Sequence, residues 1–191
     1  MHTLEAAAGR CDSVSTGAAV HRRAARLKDT LGGCPLGTEI VTRTLAACTV
    51  ASVRDTLPSA ADEGVLWERL WSGLAAAGAV PADDPLLATV YHDDFLLSRN
   101  ADVEVLVQVA EPFHGTPEVR CRELPSTLVA CRQPGPVPEM LTVFDALGRW
   151  IARNGYRFAG PMLSVHRSAP GAVPGPQDIA EVCAPVSVLA L

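Results

Sequence analysis

The spacing of apolar and polar positions changes several times along this chain, and each change marks an element. EIVTRTLAACTVASVRDT, residues 39–56, is rich in β-branched residues and predicts one long or broken strand. ADEGVLWERLWSGLAAA, residues 61–77, has helical spacing instead. Trp67, Leu70, Trp71 and Leu74 share one side, and Glu68, Arg69 and Ser72 lie away from it. Asp62 is placed to cap the start, and Gly78 and Pro81 end the helix. LLATVYHDD from Leu86 and ADVEVLVQVA from Ala101 to Ala110 predict strands. In the second, Val103, Val105, Val107 and Val109 take one face, and Glu104, Leu106 and Gln108 the other.

The second half repeats this order. VRCREL and TLVACRQ are short strands around Pro125, and Pro134-Gly135-Pro136 is a turn. Glu139 to Asn154 is a helix with Leu141, Phe144, Leu147 and Ile151 on one stripe, closed by Gly155. MLSVH from Met162 and IAEVCAPVSVL from Ile179 are the last strands. Gly78 with Gly155, Trp67 with Phe144, Leu70 with Leu147, Leu74 with Ile151 and Glu104 with Glu181 are each 77 apart. Tyr91 and His166 are 75 apart. The spacing predicts an α+β fold of two copies of strand–strand–helix–strand–strand, about 38–112 and 117–189. A unit of that size buries its sheet poorly alone, so two lobes are expected to pack around a central cleft.

Residues 1–37 read differently. AAVHRRAARLKDTL, residues 18–31, predicts a basic helix stopped by Gly32, Gly33 and Pro35, either a tail or a docking helix. Across all 191 residues the formal charge is −5 and Lys28 is the sole lysine, which gives no support to nucleic-acid binding. No apolar run reaches membrane-spanning length, and the N-terminus does not read as a secretory signal. Six cysteines in such a chain are expected to be reduced thiols of a cytoplasmic protein, mostly small buried hydrophobes.

Candidate chemistry lies where polar residues interrupt apolar faces. Glu104 and Glu181 occupy equivalent strand positions among apolar neighbours. They are either solvent-facing strand carboxylates or groups lining the cleft, where burial would demand a cation, a donor or a proton. Tyr91 and His166 are expected to point into the same cleft. Trp71 and Trp150 lie at the borders of their stripes and are candidates for its rim. His92, Asp93 and Asp94 have no second pair at metal spacing, so no metal is expected. No G-x-S-x-G elbow, G-x-G-x-x-G turn or P-loop occurs, and no cofactor is expected.

RQPGP, VFDALGRWIARNGYRFAGP, MLSVH and IAEVCAPV in the second half, with LWERLWSGLAAAGAVP, LLATVYHDD and DVEVLVQVAEPF as a fainter first copy, resemble the GyrI-like small-molecule-binding domain. The resemblance covers roughly residues 38–189. It implies two β-α-β-β units side by side with a ligand groove between them. Glu181 matches the family's late-strand glutamate, and Glu104 is its repeat mate. Ser164 and His166 stand where the family often has a glutamate and a tyrosine, and Val137 where an aromatic residue is usual. Effector domains of multidrug-responsive bacterial regulators belong to this family. The expectation is therefore a stand-alone sensor or sequestration domain for an apolar, cationic molecule. Glu181, Glu104, Tyr91, His166, Trp71 and Trp150 would line its site. The alternatives are a hydrolase of electrophilic cyclopropane-bearing natural products using Glu181, Tyr91 and His166, or a gyrase-inhibitor-like or regulator-associated interaction module. A protein partner or homodimer is compatible with each. Direct nucleic-acid and membrane binding are not expected.

Overall fold

The computed structural model describes residues 39–93, 99–133 and 140–189. The basic helix expected at 18–31 and the turn at 134–136 lie outside the described residues. The strands are β1 (Val41–Leu45), β2 (Cys48–Leu57), β3 (Leu87–Tyr91), β4 (Ala101–Gln108), β5 (Arg120–Leu124), β6 (Thr127–Arg132), β7 (Tyr156–Phe158), β8 (Met162–His166) and β9 (Ile179–Val188). The helices are α1 (Gly64–Ala77) and α2 (Met140–Arg153). The strands form an antiparallel sheet in the order β1-β6-β9-β8-β3-β4-β2-β5, with β7 paired to β9. The order reads alike from both ends when β1, β6, β9 and β8 are matched with β5, β2, β4 and β3.

The strand expected over 39–56 is broken at Ala46 and Ala47, and its two parts serve different partners. β1 pairs with β6, which lies in the second half of the sequence. β2 pairs with β4 and β5. The edge strands are therefore exchanged: β1 borders the later strands and β5 the earlier ones. The sheet is continuous through its middle, where β3 pairs with β8 from Ala88↔Val165 to Tyr91↔Met162.

Alternation along each strand divides the molecule into two faces. Val103, Val105 and Val107 of β4 are fully buried against α1 with Leu66, Trp67, Leu70 and Leu74. α2 covers Ala130, Val182, Ala184 and Val186 with Val143, Leu147 and Ile151. Phe144 packs against both groups, so the helices share one face of the sheet. The other face carries its own apolar cluster, including Val50, Ala88, Val90, Leu106, Val129 and Leu163. Each valine, leucine or isoleucine so removed from water contributes about 1.5–3 kcal/mol before conformational entropy opposes it.

Three local expectations are corrected. α1 begins at Gly64, after a 3-10 turn over Ala60–Asp62. Ser59 caps that turn, its extended backbone letting Oγ accept from the Ala61 N–H at 3.2 Å; the N-cap position of α1 itself is Glu63, without a side-chain cap, and Asp62 does not cap the helix. The three-residue strand β7 follows α2 where none was predicted. Cys131 and Cys183 are not separate buried thiols. The β6–β9 register sets them directly opposite, with Cα atoms 4.1 Å apart, and they are disulfide-bonded. The helix ends agree with expectation: Gly78 and Gly155 close α1 and α2 at φ 64° and 75°, where a side chain would be strained.

Candidate functional site

Two groups of polar side chains interrupt the apolar packing, one on each face of the sheet. On the helix face, Tyr91 ends β3 and His166 ends β8, and both turn toward the helices. The Tyr91 ring meets Phe144 of α2 edge-on at 6.3 Å. The His166 ring stands edge-on to Trp67 of α1 at 5.6 Å, and Trp67 stacks on Trp71 at 6.1 Å. The Trp71 indole N–H donates to the Ala172 carbonyl at 2.7 Å, which ties the β8–β9 connection to α1.

A carboxyl group enters the same cluster from the start of α1. The Tyr91 hydroxyl donates to Glu63 Oε2 at 3.4 Å and lies 3.5 Å from Ser164 Oγ. Burial raises Glu63 from the usual 4.5 to about 7, although hydrogen bonds from Thr89 and Tyr91 work against the rise. Burial, followed by the Glu63 charge, raises the Tyr91 phenol well above its ordinary range. His166 shares a 3.0 Å hydrogen bond with Thr89 Oγ1. Burial lowers it to about 4 against the opposing charge of Asp178, so it is neutral at pH 7. Two buried nitrogens of this cluster, Trp67 Nε1 and His166 Nδ1, have no hydrogen-bond partner. The cluster thus combines aromatic faces, a carboxyl without an arginine or lysine partner among the described residues, and unsatisfied polar atoms.

On the opposite face, Glu104 is 5% exposed and fully engaged. Its Oε1 accepts from Arg122 Nη2 at 2.8 Å and from Nε at 3.2 Å, and its Oε2 lies 2.8 Å from His92 Nε2. Burial would raise this carboxyl, but hydrogen bonds from Ser52, Arg122 and His92 outweigh it and hold the pKa below the ordinary value. The group forms the polar end of a cavity of about 290 Å³ lined mainly by apolar residues such as Ala88, Val90, Leu106, Val129 and Leu163. Glu181 is likewise paired: Arg43 reaches its Oε2 with Nη2 at 2.5 Å and Nε at 3.0 Å. Arg43 lies on β1 and Arg122 on β5, so each exchanged edge strand sends an arginine across one strand to a glutamate.

This fold and its split polar groups frame the comparison with known proteins. A family model for the GyrI-like small molecule binding domain matches residues 38–187. The chain belongs to the GyrI-like family. No curated protein matches it in sequence. Among solved structures, the EcmrR C-terminal domain superposes with TM-score 0.70 at 18% identity, over 81% of this chain and all of that one. EcmrR in its DNA complex gives TM-score 0.69 at 18% identity, over 80% of this chain; the match spans 58% of that longer protein. A hydrolase from Listeria innocua gives TM-score 0.50 at 13% identity, over 78% of this chain and 92% of that one. These likenesses establish the fold. No helix among the described residues is long and apolar enough to cross a membrane.

The GyrI-like architecture brings together three of the six site residues expected from sequence: Tyr91, His166 and Trp71. Glu104 and Glu181 lie on the other face of the sheet and do not join them. The physical reason is strand alternation: Glu104 follows Val103, which faces α1, whereas Tyr91 itself faces the helices. Trp150 stacks on Tyr156 of β7 at 5.5 Å and packs within the α2 cluster. Glu63 was missed because an acid in ADEGV reads as an ordinary helix-start residue. The arginine clamps carried a signal: Arg43 and Arg122 are 79 apart, close to the 77 of their glutamates.

Proposed function

We propose that this GyrI-like domain binds an apolar, cationic small molecule on the helix face, between α1 and α2 over the β3–β8 seam. Trp71, Tyr91 and His166 line the site, and Glu63 reads the positive charge. The supporting observation is the state of the three relevant carboxylates: Glu104 and Glu181 are held by arginines, whereas Glu63 is half-buried with hydroxyl partners only. A cation brought beside Glu63 would favour its ionised form, so binding should release the proton held near pH 7. The aromatic surfaces of Trp71 and Phe144 suit a flat or bulky cation. We also read the two halves as duplicated units, about 38–112 and 117–189, on the support of the matched strand order. The role is that of a sensor or sequestration domain. Calorimetric titration with a matched pair of aromatic ligands, one cationic and one neutral, tests the reading. Preference for the cation, with proton release that changes with buffer ionisation heat, is the expected result. Equal affinity for both members would count against it.

A second reading is hydrolytic opening of an electrophilic ring. It draws on the 3.4 Å contact between Tyr91 and a carboxyl that is half protonated near neutrality. As water adds to the electrophilic carbon and the ring C–C bond breaks, Glu63 would give its proton to the departing carbon, and the proton lost by the water would return to the Glu63 carboxylate. Product formation from a cyclopropane-bearing substrate, lost in Glu63→Gln, would separate this reading from sequestration.

A further inference from the structure

A different cluster lies on the sheet face away from the helices. Glu181 and Cys183 are two residues apart on β9 and share that face, and the register sets Cys131 of β6 opposite Cys183. The two Sγ atoms and a Glu181 carboxylate oxygen all lie within 4.8 Å of one another. Both hydrogen bonds from Arg43 go to Oε2 of Glu181, the oxygen that also lies 4.0 Å from Cys183 Sγ, so Arg43 fixes the carboxylate beside the sulfurs. A cavity of about 210 Å³ opens beside them, lined by Glu39, Val41, Cys131, Gln133 and Glu181.

We propose that Cys131 and Cys183, when reduced, form with Glu181 a binding site for a thiophilic divalent cation of the zinc and cadmium class. Two thiolates and a carboxylate supply three ligands on one rigid surface, and the cavity leaves a fourth position for water or Glu39. The charges balance. Two thiolates and Glu181 carry three negative charges, against one positive charge on Arg43 and two on the ion. Arg43 would hold the liganding carboxylate in orientation, as partners of metal ligands commonly do.

The disulfide is the oxidised form of the same site. A dithiol of the thioredoxin class supplies two electrons and two protons to the Cys131–Cys183 bond and becomes a disulfide itself. The ion then displaces the two thiol protons. Metal uptake and disulfide formation therefore exclude each other. The site is independent of the proposed helix-face ligand site, since its residues occupy the other face.

The test uses the full chain, reduced, desalted without oxygen and titrated with Co²⁺. One ion per chain should bind with thiolate-to-cobalt charge-transfer absorption and be displaced by Zn²⁺. The oxidised chain should take none. Cys131→Ala should abolish the absorption, and Glu181→Gln should weaken binding at least about tenfold. Substitution of Cys11, Cys34, Cys48 and Cys121 should leave it intact. Survival of the absorption in Cys131→Ala, or no uptake by the reduced chain, overturns the proposal. A measurement without variants stands beside these. Zn²⁺ should protect Cys131 and Cys183 of the reduced chain from alkylation, read by peptide mass. Equal labelling with and without Zn²⁺ also overturns it.

Discussion

The two faces of the sheet treat their carboxylates in opposite ways. On the face away from the helices, Glu104 and Glu181 are each neutralised by an arginine from an exchanged edge strand. On the helix face, Glu63 is half-buried with hydroxyl partners, and desolvation raises it to about 7, so it is partly protonated near neutrality instead. A carboxylate paired with arginine ties strands together and has little left to offer an organic cation. A carboxyl without a cationic partner is costly to keep ionised and therefore responsive to one. The acidic residues at matched strand positions thus stand in ion pairs that tie strands together, and the unmatched one does not.

The sharpest way to break this comparison is to remove each carboxylate in turn and measure both affinity and stability. Glu63→Gln should weaken an aromatic cation about ten- to a hundredfold, the loss of one charge-assisted contact of about 1.5–3 kcal/mol. Calorimetry with the matched neutral ligand should show little change. An equal loss for both ligands would mean that Glu63 shapes the site and does not read charge.

Glu104→Gln should act mainly on stability, lowering it by about 1–3 kcal/mol in denaturant titration, because Arg122 and His92 lose a buried partner. Cation affinity should barely move. A large affinity loss with an unchanged unfolding midpoint would reverse the roles assigned to the two faces.

The helix face also holds two pKa shifts that oppose each other. Glu63 binds its proton more tightly when folded, so its contribution to stability is present at low pH and is lost as pH rises from about 4.5 to about 7. His166 is depressed to about 4, so in the folded state it resists the proton that the unfolded chain takes. Its contribution is present above about 6.5 and is lost as pH falls toward 4. Together they leave stability nearly flat across this window. Glu63→Gln should unmask a rise in stability with pH, and His166→Gln should unmask a fall. Melting temperatures from pH 4.5 to 7 give both slopes, and parallel profiles for the two variants would contradict the assignment.

The smallest effect is expected for Glu181→Gln in the oxidised chain. Its partner Arg43 is half-exposed, so the pair should be worth no more than about 1 kcal/mol. Binding of the cation to the helix face should be unaffected. A loss of affinity like that of Glu63→Gln would return Glu181 to the charge-reading role that the sequence suggests for it.

Much of the fold is legible along the chain because it rests on local period. The valine alternation of β4 and the glycines after α1 and α2 needed no knowledge of partners. What escaped depends on register between distant strands. Cys131 meets Cys183 only through the β6–β9 pairing, and Arg43 meets Glu181 only after β1 crosses to β6. β7 escaped because Tyr156–Phe158 is too short for a period to show. Tyr91, His166 and Trp71 were found together because repeat spacing placed the first two alike and the helix stripe placed the third at its border. Glu63 is partly desolvated where it meets Tyr91 and Thr89, which no stretch of sequence near it announces.

The exchange of the edge strands also governs how the chain can be assembled in time. β1 is made early, yet its partner β6 ends at Arg132. β2 lacks its outer neighbour until β5 has been synthesised. An emerging chain therefore carries open strand edges through most of its first half, and closing them means ordering a connection of more than sixty residues on either side. Such long closures slow folding and lengthen exposure to aggregation. Neither half can finish its sheet alone, so the domain should fold in one late cooperative step, with the nascent first half a natural client for a chaperone.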